Sequence, residues 1–249
     1  MTLKVSALVV SEFDLITQYF APIGGRDVTI GIGDDAAVIS PPRDETLFTA
    51  MATLTDETPY VNADKPGQVG HLALSVALNR MAASGVPARW FTLSLTVPES
   101  NHYWLEEFAR TLGALAKSEQ VQLVGGDTTR CPLCVQINVL GTTGGPVVGP
   151  SGARAGDALF VTGRLGLQAS VTLVTSVPTL RDIDPGVAFR AETPVARNDL
   201  TSLVQDNAHA AVSLDMGLPH ALRTIITDQD LGASSRVADI PLEPVLAHH

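Results

Sequence analysis

Arg89-Trp90-Phe91-Thr92-Leu93-Ser94-Leu95-Thr96-Val97 sets Trp90, Thr92, Ser94 and Thr96 against Phe91, Leu93, Leu95 and Val97. A period of two is the pattern of a β-strand with one buried face. Directly after it, Asn101 to Lys117 changes to helical spacing through Trp104, Leu105, Phe108, Leu112 and Leu115. Strand therefore passes to helix within a few residues. Working back along the chain, Pro66 to Ala83 carries Val69, Leu72, Ala73, Val76, Ala77 and Met81 at helical spacing, with Pro66 suited to a first turn. Thr46 to Leu54 reads as a strand after the breaker Pro41-Pro42, and Val28 to Ile32 and Ala36 to Ser40 as short strands on either side of Gly33-Asp34-Asp35. Ser11 and Asp14 have the form of a capping box opening a helix to Phe20. Working forward, Val121 to Val124 and Leu133 to Gly141 read as strands.

Gly144-Gly145-Pro146 and Gly149-Pro150-Ser151-Gly152 break the pattern twice, which predicts a boundary between domains at 1–149 and 150–249. The second half predicts a strand at Ala158 to Thr162, a glycine-initiated helix from Gly163 to Ser176 and a polar stretch from Arg181 to Pro194. A helix near Val195 to Asp206, a strand near Ala211 to Leu214 and a helix near Leu218 to Thr227 complete it. Strands and helices mix without strict alternation, so the predicted class is α+β, with a mixed sheet in the first domain.

The chain has 249 residues, 45% hydrophobic and 17% charged, with 16 Lys+Arg against 26 Asp+Glu and a formal net charge of -10. That is enough apolar material for a sizeable core and too little charge for intrinsic disorder. An acidic balance argues against broad electrostatic binding of nucleic acid and is compatible with holding metal ions. No apolar run reaches the roughly 18 to 20 residues of a membrane span, and Met1 to Val10 makes a poor secretory signal. The expectation is a cytoplasmic protein with no nucleic-acid or membrane partner. His248 and His249 at the end of the chain have the look of a tag remnant.

Two fragments can carry chemistry. Gly31-Ile32-Gly33-Asp34-Asp35 places adjacent carboxylates on a glycine turn; alone, it reads as a solvated acidic turn. Gly125-Gly126-Asp127-Thr128-Thr129-Arg130 puts a carboxylate, two hydroxyls and a guanidinium after a strand and paired glycines. Such a set suits magnesium and phosphate together: Asp for the hard cation, glycine N–H groups and Arg for phosphate oxygens. A Walker A motif is absent, as are the His-Arg-Asp and Asp-Phe-Gly motifs of protein kinases. Cys131-Pro132-Leu133-Cys134 cannot close a tetrahedral zinc site within one chain. His71, His102, His209 and His220 have no nucleophile or carboxylate at informative spacing and read as surface or packing residues.

The combination resembles bacterial thiamine-monophosphate kinase, of the superfamily of aminoimidazole ribonucleotide synthetase-like proteins. It rests on Glu12-Phe13 with Leu15-Ile16, Gly31 to Ala36, Met81-Ala82-Ala83-Ser84-Gly85, Leu123 to Arg130, and Ser151 to Asp157 followed by Val161-Thr162-Gly163, in that order along nearly the whole chain. The resemblance implies a first domain whose strands form a barrel with a second subunit, hence a homodimer, and a C-terminal α+β domain, with ATP and magnesium between the domains. It implies transfer of the ATP γ-phosphoryl group to thiamine monophosphate. Asp34, Asp35 and Asp127 would then be magnesium ligands. Gly125, Gly126, Thr128, Thr129 and Arg130 would line the nucleotide phosphates, and Asp34, Asp127 and Arg130 would be the catalytic set.

The sequence departs from that family at several positions. Ala52 and Arg80 stand where the resemblance implies metal carboxylates, and Ser213 and Met216 replace two aspartates, with Asp56 and Asp215 nearby. A guanidinium roughly 5 Å from a metal ion costs about 3 kcal/mol per unit of charge product at an effective dielectric of about 20. One magnesium site is therefore expected to be lost, or Arg80 takes over part of its role at phosphate oxygens. The chain also stops soon after Ile240-Pro241-Leu242, so the C-terminal domain is expected to be shortened. The competing readings are an inactive nucleotide-binding paralogue and a related ATP-dependent enzyme with another substrate.

Overall fold

The computed structural model describes residues 16–24, 31–32, 36–59, 61–99, 101–227 and 229–247. The expected helix start at Ser11, the run from Val28 to Ile30 and the Gly33-Asp34-Asp35 turn lie outside the described residues. Of the expected first helix, Ile16–Phe20 forms a π-helical turn.

Four strands make one mixed sheet: β1 (Thr46–Thr55), β2 (Ala88–Val97), β3 (Gln122–Arg130) and β4 (Cys134–Thr143), in the order β1-β4-β2-β3. The strand expected from Arg89 to Val97 is β2, and its apolar row is buried at Phe91, Leu93, Leu95 and Val97. Trp90 is buried as well, while Thr92, Ser94 and Thr96 are half-buried. β2 and β3 run parallel and are joined through α2 (His102–Ser118). Parallel neighbours require such a crossover, because a hairpin can only join antiparallel strands.

The Asn101 side chain accepts a hydrogen bond from the Trp104 N–H, which starts α2 where the sequence places it. Its buried residues Leu105, Phe108, Ala109, Leu112, Leu115 and Ala116 fall on one face at helical spacing. Each fully buried Leu or Phe of that face contributes about 2 kcal/mol. Helix α1 (Pro66–Ala82) has no exposed residue, which suits a helix apolar nearly all round. A Cβ at Gly70 would lie 2.7 Å from the Phe108 carbonyl oxygen, and one at Gly67 would lie 2.8 Å from Thr111 Oγ1. Small residues there let α1 and α2 approach closely. Trp104 stacks on Phe108 at 5.2 Å and donates its indole N–H to the Ala63 carbonyl.

By contact density the chain divides into two compact units, 1–41 with 52–74 and 89–138, and 42–51 with 75–88 and 139–249. Several expected strands do not form. Ala36 to Ser40 yields only a single bridge residue, Val38, and Ala158 to Thr162 and Ala211 to Leu214 are not strands. Ala158 to Thr162 lies between Gly156 and Gly163, both at positive φ (96° and 126°), and Phe160 is 89% exposed. Its apolar composition gives strand propensity, but among the described residues no strand pairs with it.

Helix α3 (Leu167–Ser176) begins later than expected because Gly166 holds φ 90°. The polar stretch contains α4 (Val187–Glu192), whose Val187 and Ala191 are buried. The helix expected from Val195 starts at a turn over Asn198–Leu200 and continues as α5 (Thr201–Asn207); α6 (Leu218–Ile226) is where the sequence predicts it. Val174, Val187 and Val245 form a buried cluster that brings α7 (Pro244–Ala247) against α3.

One ion-pair network closes that cluster. Arg190 Nη2 lies 2.6 Å from both Asp184 Oδ2 and Glu243 Oε2, and the Glu243 side chain is only 7% exposed. Hydrogen bonds from Arg190 hold the Asp184 carboxyl below the usual carboxylate range, against the opposing effect of desolvation. A depressed acid contributes stability above its unfolded pKa, and that contribution is lost as pH falls through the lower folded value. Arg190→Met strands a nearly buried carboxylate. Because Arg190 is itself 43% exposed, the cost falls below that of a fully buried pair, about 1–3 kcal/mol. Chemical denaturation at neutral pH and below about pH 4 should show the variant destabilised in the first and closer to wild type in the second.

Candidate functional site

The strand expected from Val121 to Val124 is longer in the structure: β3 continues through Arg130. The correction follows from the register. Phe91 pairs with Leu123 and Thr92 with Gly125, so Val124 is an extra residue, and from there Leu93 to Val97 pair one to one with Gly126 to Arg130. A Cβ on Gly126 would lie 1.9 Å from the Leu93 carbonyl oxygen and 2.9 Å from its carbon. Only glycine permits that approach. A Cβ on Gly125 would meet nothing within 4 Å, so open space lies over the strand two residues before Asp127.

Alternation along a strand divides the predicted phosphate-lining residues between two faces. Asp127 and Thr129 share a face with their register partners Ser94 and Thr96, and the Thr96 and Thr129 hydroxyls are 2.9 Å apart. Thr128 and Arg130 lie on the opposite face, in register with Leu95 and Val97. Arg130 Nε donates to the Pro98 carbonyl at 3.0 Å and the residue is exposed. The structure therefore brings Asp127 and Thr129 together and separates Thr128 and Arg130 from them. Asp34 and Asp35 lie outside the described residues. Among the described residues no three His, Cys, Asp or Glu gather as a metal site. Asp127, exposed among three hydroxyls, is an all-oxygen donor set of the kind a hard cation takes.

A second arrangement lies in the other unit. Arg80, near the end of α1, donates from Nε to Asp215 Oδ2 at 2.8 Å and from Nη1 to the Met51 carbonyl. Arg80 and Asp215 line a cavity of about 360 Å³ together with Ser84, Ser213, Met216 and His220. Sequence reading singles out Arg80, Asp215 and Met216 individually. It does not pair Arg80 with Asp215, because 135 residues separate them and no local pattern links them. Ala52 is 2% exposed, so position 52 is part of the core, and Asp56 sits exposed in the turn after β1.

A cavity of about 380 Å³ is lined by Ser151, Arg154, Gln205 and His209, among others. His209 Nδ1 is 3.0 Å from both Asp157 oxygens. The Arg154 backbone N–H, and then His209, hold the Asp157 carboxyl below its ordinary value. His102 accepts or donates at Nδ1 to the Tyr19 hydroxyl at 2.7 Å, a packing role. Cys131 and Cys134 are free thiols.

These features belong to a known class: residues 33–147 match the family described as AIR synthase related protein, N-terminal domain. Thiamine-monophosphate kinase of Escherichia coli (strain K12) is 34% identical over 245 residues, covering 96% of this chain and 75% of that protein. The chain belongs to the thiamine-monophosphate kinase family. The crystal structure of thiamine-monophosphate kinase from Stenotrophomonas maltophilia K279a superposes with a TM-score of 0.84 at 30% identity, over 96% of this chain and 78% of that one. AaThiL complexed with AMPPCP and TMP shares the fold, with a TM-score of 0.66 at 24% identity over 90% and 73% of the two chains.

The fit of Gly126 under Leu93 is directly testable. Gly126→Ala should separate β2 from β3 locally and cost more than the about 1 kcal/mol typical of point substitutions. A lowered melting temperature with faster amide exchange at Gly125 to Thr128 is the expected result. An unchanged melting temperature would mean that the strands do not meet this closely.

Proposed function

We propose that this chain transfers the γ-phosphoryl group of ATP to thiamine monophosphate, giving thiamine diphosphate and ADP. The observation that carries the proposal is the 34% identity with the Escherichia coli enzyme across 96% of the chain. The AMPPCP and TMP held by AaThiL supply the matching pair of ligand chemistries. An oxygen of the substrate phosphate forms the new P–O bond while the bond to the ADP oxygen breaks. Such transfer depends on positioning and charge neutralisation more than on a protein nucleophile.

In this reading Asp127 would hold magnesium together with Asp34 and Asp35, and a bound magnesium would supply charge neutralisation at the phosphate oxygens. Thr129 and Gly125 flank the phosphates on the same face or in the open space beside it. Thr128, Arg130 and the Gly126 backbone act from the other side of the strand. The catalytic set remains Asp34, Asp127 and Arg130. Residues 1–149 form the ATP- and magnesium-binding and dimerisation domain, and 150–249 the C-terminal domain. A homodimer is supported by edge strand β1, on which Leu47 and Met51 are 50% and 54% exposed; a second copy covering this strand removes an open sheet edge. No described helix is long and apolar enough to cross a membrane, and a cytoplasmic location is the reading adopted.

The inactive-paralogue reading draws on the Arg80 to Asp215 ion pair. One assay separates the two: incubation with ATP, thiamine monophosphate and magnesium, followed by quantitation of thiamine diphosphate and ADP. Both products should accumulate in equal amounts. Asp127→Asn should reduce kcat on the order of 100-fold, and absence of both products at high enzyme concentration would reject the kinase reading.

A further inference from the structure

The cleft around Asp215 does not suit a divalent cation. Position 80 carries a guanidinium, and the carboxylate that remains, Asp215, accepts a hydrogen bond from that guanidinium at 2.8 Å. A divalent ion at Asp215 would have to displace Arg80 or sit beside a fixed positive charge. Neither suits magnesium, which needs several oxygens in near-octahedral array.

We propose that Arg80 is the resident cation of this cleft and that the cleft takes a phosphate-class oxyanion directly on the guanidinium, without a metal. The geometry supplies what such a role requires. The bonds to Asp215 and to the Met51 carbonyl fix the plane of the guanidinium, and part of its donor fork is left over for a ligand. Arg80 is 37% exposed and lines the 360 Å³ cavity, so it is anchored and still reachable. Ser84, Ser213 and Thr224 add hydroxyl donors to the same wall, and His220 adds a ring nitrogen. Asp215 sets a limit: its negative charge offsets much of the guanidinium's field, so affinity comes from directed hydrogen bonds more than from long-range attraction. The inference rests on the phosphoryl-transfer reading only for the class of anion, since the arrangement of Arg80 stands apart from whether thiamine monophosphate is the acceptor.

The test is calorimetric titration of the full chain with inorganic pyrophosphate in the presence of EDTA. Wild type should bind, Arg80→Met should bind about tenfold or more weakly, and Arg80→Lys should retain an intermediate affinity. Melting curves identify any variant that has lost its fold, and Arg80→Lys then carries the comparison. Asp215→Asn should bind pyrophosphate at least as well as wild type. The number of Mn²⁺ ions bound, read by electron paramagnetic resonance, should be the same in Asp215→Asn and wild type. Pyrophosphate binding that appears only with a divalent cation, equal affinity in folded Arg80→Met and wild type, or loss of one Mn²⁺ in Asp215→Asn would each overturn the proposal. Kinase assays on the same samples keep the two readings apart. Metal-free binding sensitive to Arg80 in a protein that makes no thiamine diphosphate would retain this inference and remove the kinase.

Discussion

The approach of Gly126 to the Leu93 carbonyl is the constraint on which the described site depends. At 1.9 Å from a virtual Cβ to that oxygen, the two backbones meet where no other residue fits. The bulge at Val124 restores one-to-one pairing from there to Arg130, and that pairing decides which side of the sheet each polar residue occupies. Asp127 therefore stands with Thr129, Ser94 and Thr96 because a glycine at position 126 lets the two backbones meet. Were the bulge absent, the register would slip by one residue and the carboxylate would change faces.

Charge is handled differently in the second unit. Asp215 and Arg80 neutralise one another at the wall of a cavity, where a carboxylate alone would attract a cation. The acidic balance of the chain, -10 overall, thus says little about where metal binds. Pairing partners decide that, and they come from parts of the chain far apart in sequence.

Where periodicity was long and unbroken, the fold was legible: α1, β2 and α2 lie within a residue or two of their expected positions, and the capping side chain of Asn101 marks the start of α2. Ala158 to Thr162 was misleading because strand propensity has no effect without a neighbouring strand to pair with. Helix α4 was hidden in a polar stretch because only Val187 and Ala191 of its short span are buried. At the site, the residue types of Gly125 to Arg130 were readable, but their division between two faces was not, since paired glycines look like a turn until a parallel partner extends them. Arg80 was visible as a departure from the family pattern, whereas its hold on Asp215 and on the Met51 carbonyl exists only in three dimensions.

The two proposals together place divalent metal at Asp127 and keep it away from Asp215. Crystals grown with Mn²⁺ and a non-hydrolysable ATP analogue would locate the ion by its anomalous scattering. The expected result is a peak within coordination distance of the Asp127 carboxylate, with Arg80 still bonded to Asp215. A peak at Asp215, with Arg80 swung away and Asp127 bare, would contradict it.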